Sequence, residues 1–397
     1  MSDTVTIIGG GLAGCHTARA LAERGWKVNI LEKHSALAQE GSGNPQGVLY
    51  AKLSPMEEAQ SAFNLASLQY ALNFYRPLWS EIGDDCGVLQ LAHKPSEVDL
   101  QMLLREKFAQ AEELVRFVDQ DEASKIAGIA LTQSGIFFPK AGWIDPRRLC
   151  AYLVDHPNID VTYDFAVDSI TRTEHDWTLS SPTGETLNAP VVVIANAKDA
   201  ANFSFSDHLP LKKIRGQVTY VPANSTGASL NTVVCAEGYI SPAQQGIFCT
   251  GATFNLKDDE TTLRVSDHQT NLDNLHEHLP AFDAKVEANE LQGRVAFRCS
   301  LPDYLPAVGP LPVVDKMVAD FAPLRKNARA GITCGGSYLP GLFINIGHGA
   351  RGLAYTPLCA ELLASHICDE PMPLPRELVN ALHPARFVIR DLTRNKR

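Results

Sequence analysis

Cysteine pairs, long apolar runs and an excess of positive charge are all missing from this sequence, and each absence removes a class of function. The nine cysteines (Cys15, Cys86, Cys150, Cys235, Cys249, Cys299, Cys334, Cys359, Cys368) are odd in number and include no CxxC pair. Neither a zinc site nor a disulfide framework is indicated, and no metal is expected; the thiols read as reduced, cytosolic ones. No apolar stretch reaches the roughly 18–20 residues of a membrane span. The start, MSDTVTIIGGG, has no basic segment before its apolar run and turns to glycine where a secretory leader would stay apolar. A cytoplasmic location is expected. Lys plus Arg number 35 against 45 Asp plus Glu, a net charge of −10, so no global field draws in nucleic acid or an anionic membrane, and any anion site must be local. Repeats and low-complexity tracts are also absent.

What is present suits a large α/β protein. At roughly 150 residues per domain, 397 residues is enough for two domains and a bulky cofactor. TVTII (4–8) is a short β-branched run stopped by three glycines, the pattern of a buried parallel strand. A helix over Ala13 to Arg24, with Gly25 as its C-cap, and a strand over Lys27 to Leu31 complete one βαβ beginning. A glycine-rich loop (GSGNPQG, 41–47) precedes a helix expected from Met56 to Ile82. GVLQLA and GIFFP read as strands around a charged helix near Val98 to Leu114, an inserted domain. Asp145 and Pro146 pair as N-cap and first helical residue. VTYDFAVDSI, DWTLSS and APVVVIANA read as strands, the last returning to the first sheet. From about 204 to 330 the pattern is strand and turn (GQVTYVP, GYISP, GIFCTGATF, GRVAFRC), and GLFINIGHGARGL gives a final strand, a glycine turn and a helix.

The sharpest local signal is Gly9, Gly11 and Gly14 after a strand and before a helix. In such a motif the first glycine permits the turn, the second lets backbone approach a pyrophosphate, and the third lets helix and strand pack closely. Glu32 ends the next strand, placed to accept hydrogen bonds from an adenosine ribose. The alternative is a plain glycine turn with a surface glutamate. NAD and FAD enzymes share the motif, but the second glycine loop and a third cluster (Gly347, Gly349, Gly352) suit a longer, extended cofactor, FAD.

The arrangement resembles the glutathione-reductase-type FAD fold of the D-amino-acid oxidase, glycine oxidase and sarcosine oxidase superfamily across essentially the whole chain. The strings GSGNPQGVLYAKLS, FPKAGWIDP, GQV, GYISP, RVAFRCSLPDYLPAVGPLP, GARGL, PLCAELLA and LHPARFVIRDL are similar to the FAD-dependent oxidoreductase half of the bacterial bifunctional enzymes of tRNA 5-methylaminomethyl-2-thiouridine biosynthesis. The fold implied is α/β, an α+β two-domain arrangement. A Rossmann-like FAD domain (1–88, 142–203, 331–397) is joined to a mixed-sheet substrate domain (89–141, 204–330). Met1 stands almost directly on the first strand, so the methyltransferase half is expected to be absent and supplied, if at all, by a separate protein.

The resemblance also implies roles. Arg298 corresponds to the superfamily's carboxylate-binding arginine, where a guanidinium takes a carboxylate bidentately; a strand salt bridge is the other reading. Tyr239 in GYISP corresponds to an active-site tyrosine, or is a core residue. Arg351 stands beside the helix start facing the flavin pyrimidine, where positive charge favours the reduced ring, or pairs with a surface carboxylate. His348 beside it reads as structural. Ser42, Gly43, Asn44, Gln46 and Gly47 correspond to a loop along the cofactor. Val167 corresponds to the adenine contact, Asn196 follows a sheet strand where Thr or Gly is usual, and Gly347, Gly349, Gly352 and Leu353 line the last glycine turn. Cys299 is offset from Asp303 in a way that does not match the cysteine tether of some relatives, so FAD is expected to be non-covalent.

The activity implied is removal of the carboxymethyl group from 5-carboxymethylaminomethyl-(2-thio)uridine at the tRNA wobble position, giving the aminomethyl form and glyoxylate. Candidate tRNA-phosphate contacts are Lys212, Lys213 and Arg215; Lys316, Arg325, Lys326 and Arg329; and a terminal run of Arg386, Arg390, Arg394, Lys396 and Arg397. Each is otherwise a solvated face, and the terminal run a fraying tail. Two further readings stay open: an oxidase of glycine, sarcosine or a D-amino acid, and a flavoprotein that binds RNA or a methyltransferase partner without turnover.

Overall fold

The computed structural model describes residues 3–396. The chain divides into two compact units, one of Met1–Gln39, Cys150–Lys212 and Arg298–Arg397, the other of Glu40–Leu149 and Lys213–Phe297.

The first unit is built on a six-stranded sheet in the order Ala307–Pro312, Tyr338–Ile346, Val192–Ile194, Thr4–Ile8, Lys27–Leu31, Ile159–Thr162. All neighbours are parallel except the first pair. Thr4–Ile8 has Lys27–Leu31 on one side and Val192–Ile194 on the other, so strand order reverses there. That is the position at which open α/β sheets bind ligands, beyond the carboxyl ends of the strands. Ile7, Ile30, Val193 and Ile344 are fully buried, as expected of central strands covered on both faces, and Val192–Ile194 is apolar throughout. Helices Leu12–Ala22 and Gly352–Cys368 pack on each other, and Asn345 Nδ2 donates to Thr17 Oγ1 at 3.0 Å to join the first of them to the last strand.

The strand expected over 161–170 is two. Ile159–Thr162 ends the parallel sheet, Asp164 turns the chain with φ 55°, and Ser169–Arg172 opens a three-stranded antiparallel sheet with Trp177–Ser180 and Thr186–Ala189. Val167 lies in that connection and packs against the core around Ile194 and Leu311. The terminal run is a helix, Arg386–Thr393, not a fraying tail: Phe387, Val388 and Leu392 are buried, the last two against Met317 and Leu324. An apolar stripe on one helix face accounts for the correction. Arg397 lies outside the described residues.

The second unit carries a nine-stranded mixed sheet. Its path runs Asn255–Leu256, Lys212–Pro222, Ile247–Gly251, Tyr239–Ile240, Val233–Cys235, Val88–Leu91, Gly135–Phe138, Arg116–Val118, with Gln292–Ser300 also paired to Lys212–Pro222. Phe248, Phe282, Leu89 and Val234 fill its core. A small sheet of Gly47–Leu49, Gly142–Ile144 and Gly83–Asp84 accompanies it. The helix expected over Met56 to Ile82 is broken into Ala59–Tyr75 and Trp79–Ile82, because Pro77 removes a donor and crowds the preceding turn. Asp145 accepts the Arg147 N–H at 2.9 Å at the start of the helix Pro146–Val154.

Candidate active site

Three glycine positions shape the end of the first strand. Gly9 has φ 109°, and a Cβ there would stand 2.8 Å from the Ala195 carbonyl oxygen and 3.0 Å from Asn196 Cα. A Cβ on Gly14 would lie 1.9 Å from the Gly9 carbonyl oxygen, so only glycine lets the helix approach the strand so closely. Gly11 is the N-cap of Leu12–Ala22, contributes no side-chain cap, and no acidic residue occupies the first turn. The helix therefore presents its first N–H groups and its positive dipole end to an anion. Asn196 closes the neighbouring strand at the same point, and its Oδ1 is buried without a hydrogen-bond partner.

Glu32 is 6% exposed. Its Oε2 accepts the Gly10 N–H at 2.8 Å and its Oε1 the His34 N–H at 2.9 Å. Each carboxylate oxygen has a second lone pair, so ribose hydroxyls can still be accepted. Gly10 and His34 thus orient Glu32; the middle glycine of the GGG run is the one trace of this in the sequence. A cradle closed to any Cβ, an uncapped helix start and a fixed carboxylate together fit an adenine dinucleotide.

The last glycine turn belongs to the same unit. Gly347 and Gly349 have φ 85° and 58°, Gly349 N–H donates to the Cys299 carbonyl at 2.8 Å, and a Cβ on Gly352 would meet Leu12 Cδ1 at 3.3 Å. Leu353 is buried. Arg351 is the N-cap of Gly352–Cys368, and its guanidinium donates to Tyr355 Oη at 3.3 Å. Both ring nitrogens of His348 are shut from solvent, and burial pushes its pKa down to about 4. Burial, with His348 adding a smaller repulsion, pushes His16 down to about 3. The Cys299 thiol is raised to about 12 by burial and stays protonated at neutral pH.

In the second unit, Tyr239 is half-buried on its strand, with its hydroxyl 3.5 Å from the Gln46 carbonyl and 3.8 Å from Cys249 Sγ. Gln46 is buried and its Nε2 donates to the Pro242 carbonyl at 2.9 Å. Gly43 N–H closes a turn onto the Glu40 carbonyl at 3.0 Å, Ser42 lies in that turn, and Gly47 starts a strand opposite Ile144. Asn44 Oδ1 accepts from Arg294 at 3.4 Å. Arg298, which belongs to the first unit, is half-buried on Gln292–Ser300.

Two basic candidates are corrected. Arg215 is fully buried, ion-paired to Asp267, and donates to the Glu260 and Thr262 carbonyls at 2.8 Å each. Arg386 is 13% exposed, bound to both oxygens of Asp303 at 3.0 and 3.1 Å and to the Leu305 carbonyl. Both are internal fasteners; burial without such partners would be prohibitive. Lys213 pairs with Asp259 at 2.6 Å and sits over the Phe297 ring. Lys316 pairs with Asp320 at 3.4 Å. Lys212, Arg325, Lys326, Arg329, Arg394 and Lys396 are exposed. Among the described residues no group of three or more His, Cys, Asp or Glu could hold a metal ion, and no helix is long and apolar enough to cross a membrane.

The chain is 44% identical, over 98% of its length, to the tRNA 5-methylaminomethyl-2-thiouridine biosynthesis bifunctional protein MnmC of Stutzerimonas stutzeri, and 43% identical, again over 98%, to that of Chromobacterium violaceum. It spans 59% and 60% of those proteins. Among solved structures, glycine oxidase from Geobacillus kaustophilus superposes with a TM-score of 0.75 at 21% identity, covering 96% of this chain and 98% of that one. Iminodiacetate oxidase from Chelativorans sp. BNC1 gives 0.72 at 20%, covering 94% and 97%. These two establish likeness of fold. The DAO model, FAD dependent oxidoreductase, matches residues 4–366: the chain belongs to this family of FAD-dependent oxidoreductases.

Proposed function

We propose that this oxidoreductase acts on the wobble uridine of tRNA, removing the carboxymethyl group of 5-carboxymethylaminomethyl-(2-thio)uridine to leave the 5-aminomethyl base and glyoxylate. The observation that carries the reading is the similarity to tRNA 5-methylaminomethyl-2-thiouridine biosynthesis proteins over 98% of this chain.

Bound FAD supplies the two-electron acceptor for a C–H next to an amine. The C–N bond of the substrate's –NH–CH2–COO⁻ arm becomes an imine as the methylene gives up a hydride and the nitrogen a proton. Water then adds to the imine carbon, and the C–N bond breaks to release glyoxylate. Arg298 holds the substrate carboxylate through its two parallel N–H donors, and Tyr239 orients the arm through its hydroxyl. Such a reaction depends on placement of the C–H more than on a strong base. Arg351 provides positive charge beside the glycine turn. Gly9, Gly11, Gly14 and Glu32 hold the adenine dinucleotide end, with Val167 and Asn196 on neighbouring connections. The cofactor is held without a covalent bond, in keeping with the offset of Cys299 from Asp303.

For tRNA, the packing of Arg386–Thr393 on the segment around Met317 and Leu324 is informative. It joins two basic stretches that are distant in sequence. Apart from the inward Arg386, residues 314–332 and 386–396 together hold seven cations against three carboxylates, in a chain of net charge −10. Arg325, Lys326, Arg329, Arg394 and Lys396 are our proposed phosphate contacts.

The test is anaerobic mixing with tRNA bearing carboxymethylaminomethyluridine, and separately with glycine and sarcosine, following loss of flavin absorbance. Rapid bleaching by the modified tRNA is expected. Bleaching by glycine alone would transfer the assignment to a small-molecule oxidase, and no bleaching by any amine would leave a binding flavoprotein. Arg298→Ala should retain flavin and lose at least about a hundredfold in turnover, as for a lost charge-assisted anchor. Arg298→Lys should restore little of it, because an ammonium cannot form the fork.

A further inference from the structure

Arg294 has no part in the reading above, yet its guanidinium is where the 40–44 loop meets the sheet of the second unit. It donates to the Glu40 carbonyl at 2.5 Å and to Asn44 Oδ1 at 3.4 Å. Between these two points the loop backbone comes close to the same strand, since a Cβ on Gly41 would stand 3.0 Å from the Phe297 carbonyl oxygen. The Glu40 carbonyl also accepts the Gly43 N–H at 3.0 Å, so one oxygen closes the turn and receives the arginine.

Arg294 and Arg298 are four residues apart on Gln292–Ser300. Burial lowers the Arg294 pKa from its ordinary value. A guanidinium withdrawn from water is costly unless its N–H groups are matched, and here the matching oxygens come from the loop.

We propose that Arg294 is a positioning residue, holding the loop that carries Ser42, Gly43 and Asn44 in its cofactor-binding shape on the strand that carries Arg298. The proposal rests on the reading of 41–47 as a cofactor loop. A loop of small residues loses backbone freedom on ordering, at about 1–2 kcal/mol per residue. A clamp present before FAD arrives removes that cost from the binding step. The charge makes each hydrogen bond about twice as strong as a neutral one.

The experiment measures FAD dissociation constants by fluorescence titration of the deflavinated full chain, with amide exchange of residues 41–46 in the absence of FAD. Arg294→Met should weaken FAD at least about tenfold, the value of one charge-assisted hydrogen bond, and speed exchange in the loop. Arg294→Lys, able to reach one oxygen but not to fork, should recover part of the affinity. In a double-mutant cycle with Asn44→Ala the two losses should not multiply independently. Unchanged FAD affinity and loop exchange in a folded Arg294→Met protein would overturn the proposal, as would independent losses in the cycle. Should Arg294→Met not fold, Arg294→Lys, alone and combined with Asn44→Ala, decides in the same way. Gly43→Val tests the underlying reading separately: if it leaves FAD affinity intact, the loop does not bind the cofactor; if it weakens FAD while Arg294→Met does not, only the clamp is wrong.

Discussion

Glu32 receives the backbone N–H of Gly10 at 2.8 Å, which ties the end of the second strand to the glycine turn after the first. The carboxylate, our proposed ribose acceptor, is therefore also a structural partner of the turn. Glu32→Ala should lower stability by about 1–3 kcal/mol, the usual range when a buried donor is left unmatched, and weaken FAD binding as well. Denaturant unfolding of the deflavinated protein separates the two effects: a loss confined to FAD affinity would show that the Gly10 bond contributes nothing to the fold.

The 1.9 Å separation between a Cβ on Gly14 and the Gly9 carbonyl oxygen makes Gly14→Ala a severe substitution. A backbone oxygen cannot swing away like a side chain, so the helix must shift. A loss of about 3 kcal/mol or more is expected, together with a sharp fall in flavin content. Gly227→Ala is the control, because nothing lies within 4 Å of its added methyl. Thermal melts and flavin-to-protein absorbance ratios of the two variants check the contrast.

Deleting residues 386 to 397 would be a poor test of tRNA binding, since it removes buried Phe387, Val388 and Leu392 and the partner of Asp303. Asp303→Ala should by itself cost about 3–5 kcal/mol by leaving Arg386 buried and unpaired, measured as a drop in the urea midpoint. Neutralising exposed Arg394 and Lys396 to Gln should leave stability nearly unchanged. If both contact phosphate, the slope of log affinity for tRNA against log salt should flatten by about 0.7–0.9 for each. An unaltered slope would return these two cations to ordinary surface.

Acid should destabilise the protein through His16 and His348. Burial lowers their pKa values to about 3 and about 4, below the value near 6.5 of an unfolded histidine. Between those limits the unfolded chain binds protons that the folded one refuses, so stability rises with pH. It is fully present above about pH 6.5 and is lost as pH falls towards 4, at up to about 1.4 kcal/mol per pH unit for each histidine. Urea midpoints at pH 7 and pH 5 measure this. His16→Leu should reduce the difference; an equal difference in that variant would exclude His16 as a source.

The first βαβ unit was legible because its signals are local. Five β-branched and apolar residues, three glycines and an acidic strand end define the turn within one stretch of chain, and the strands Thr4–Ile8 and Lys27–Leu31 lie where the pattern puts them. The break at Pro77 is equally local, yet the apolar content of 56–82 masks a single residue that cannot continue a helix. Arg215 and Arg386 misled for the opposite reason. Composition marks them as surface cations, whereas their partners Asp267 and Asp303 lie 52 and 83 residues away.

Sequence by itself determined the glycine cradle and the alternation of strands and helices, since these depend on backbone sterics and on hydrophobic periods written into neighbouring residues; the resemblance to a family rested on long motif strings instead. Tertiary structure alone decided that Glu32 is braced by Gly10 and His34, that Arg294 grips the loop at 40–44, and that the terminal helix packs on the segment around Met317. Each of those depends on which oxygen or apolar face a folded chain brings within reach of a given side chain, a matter of long-range packing that no local pattern encodes.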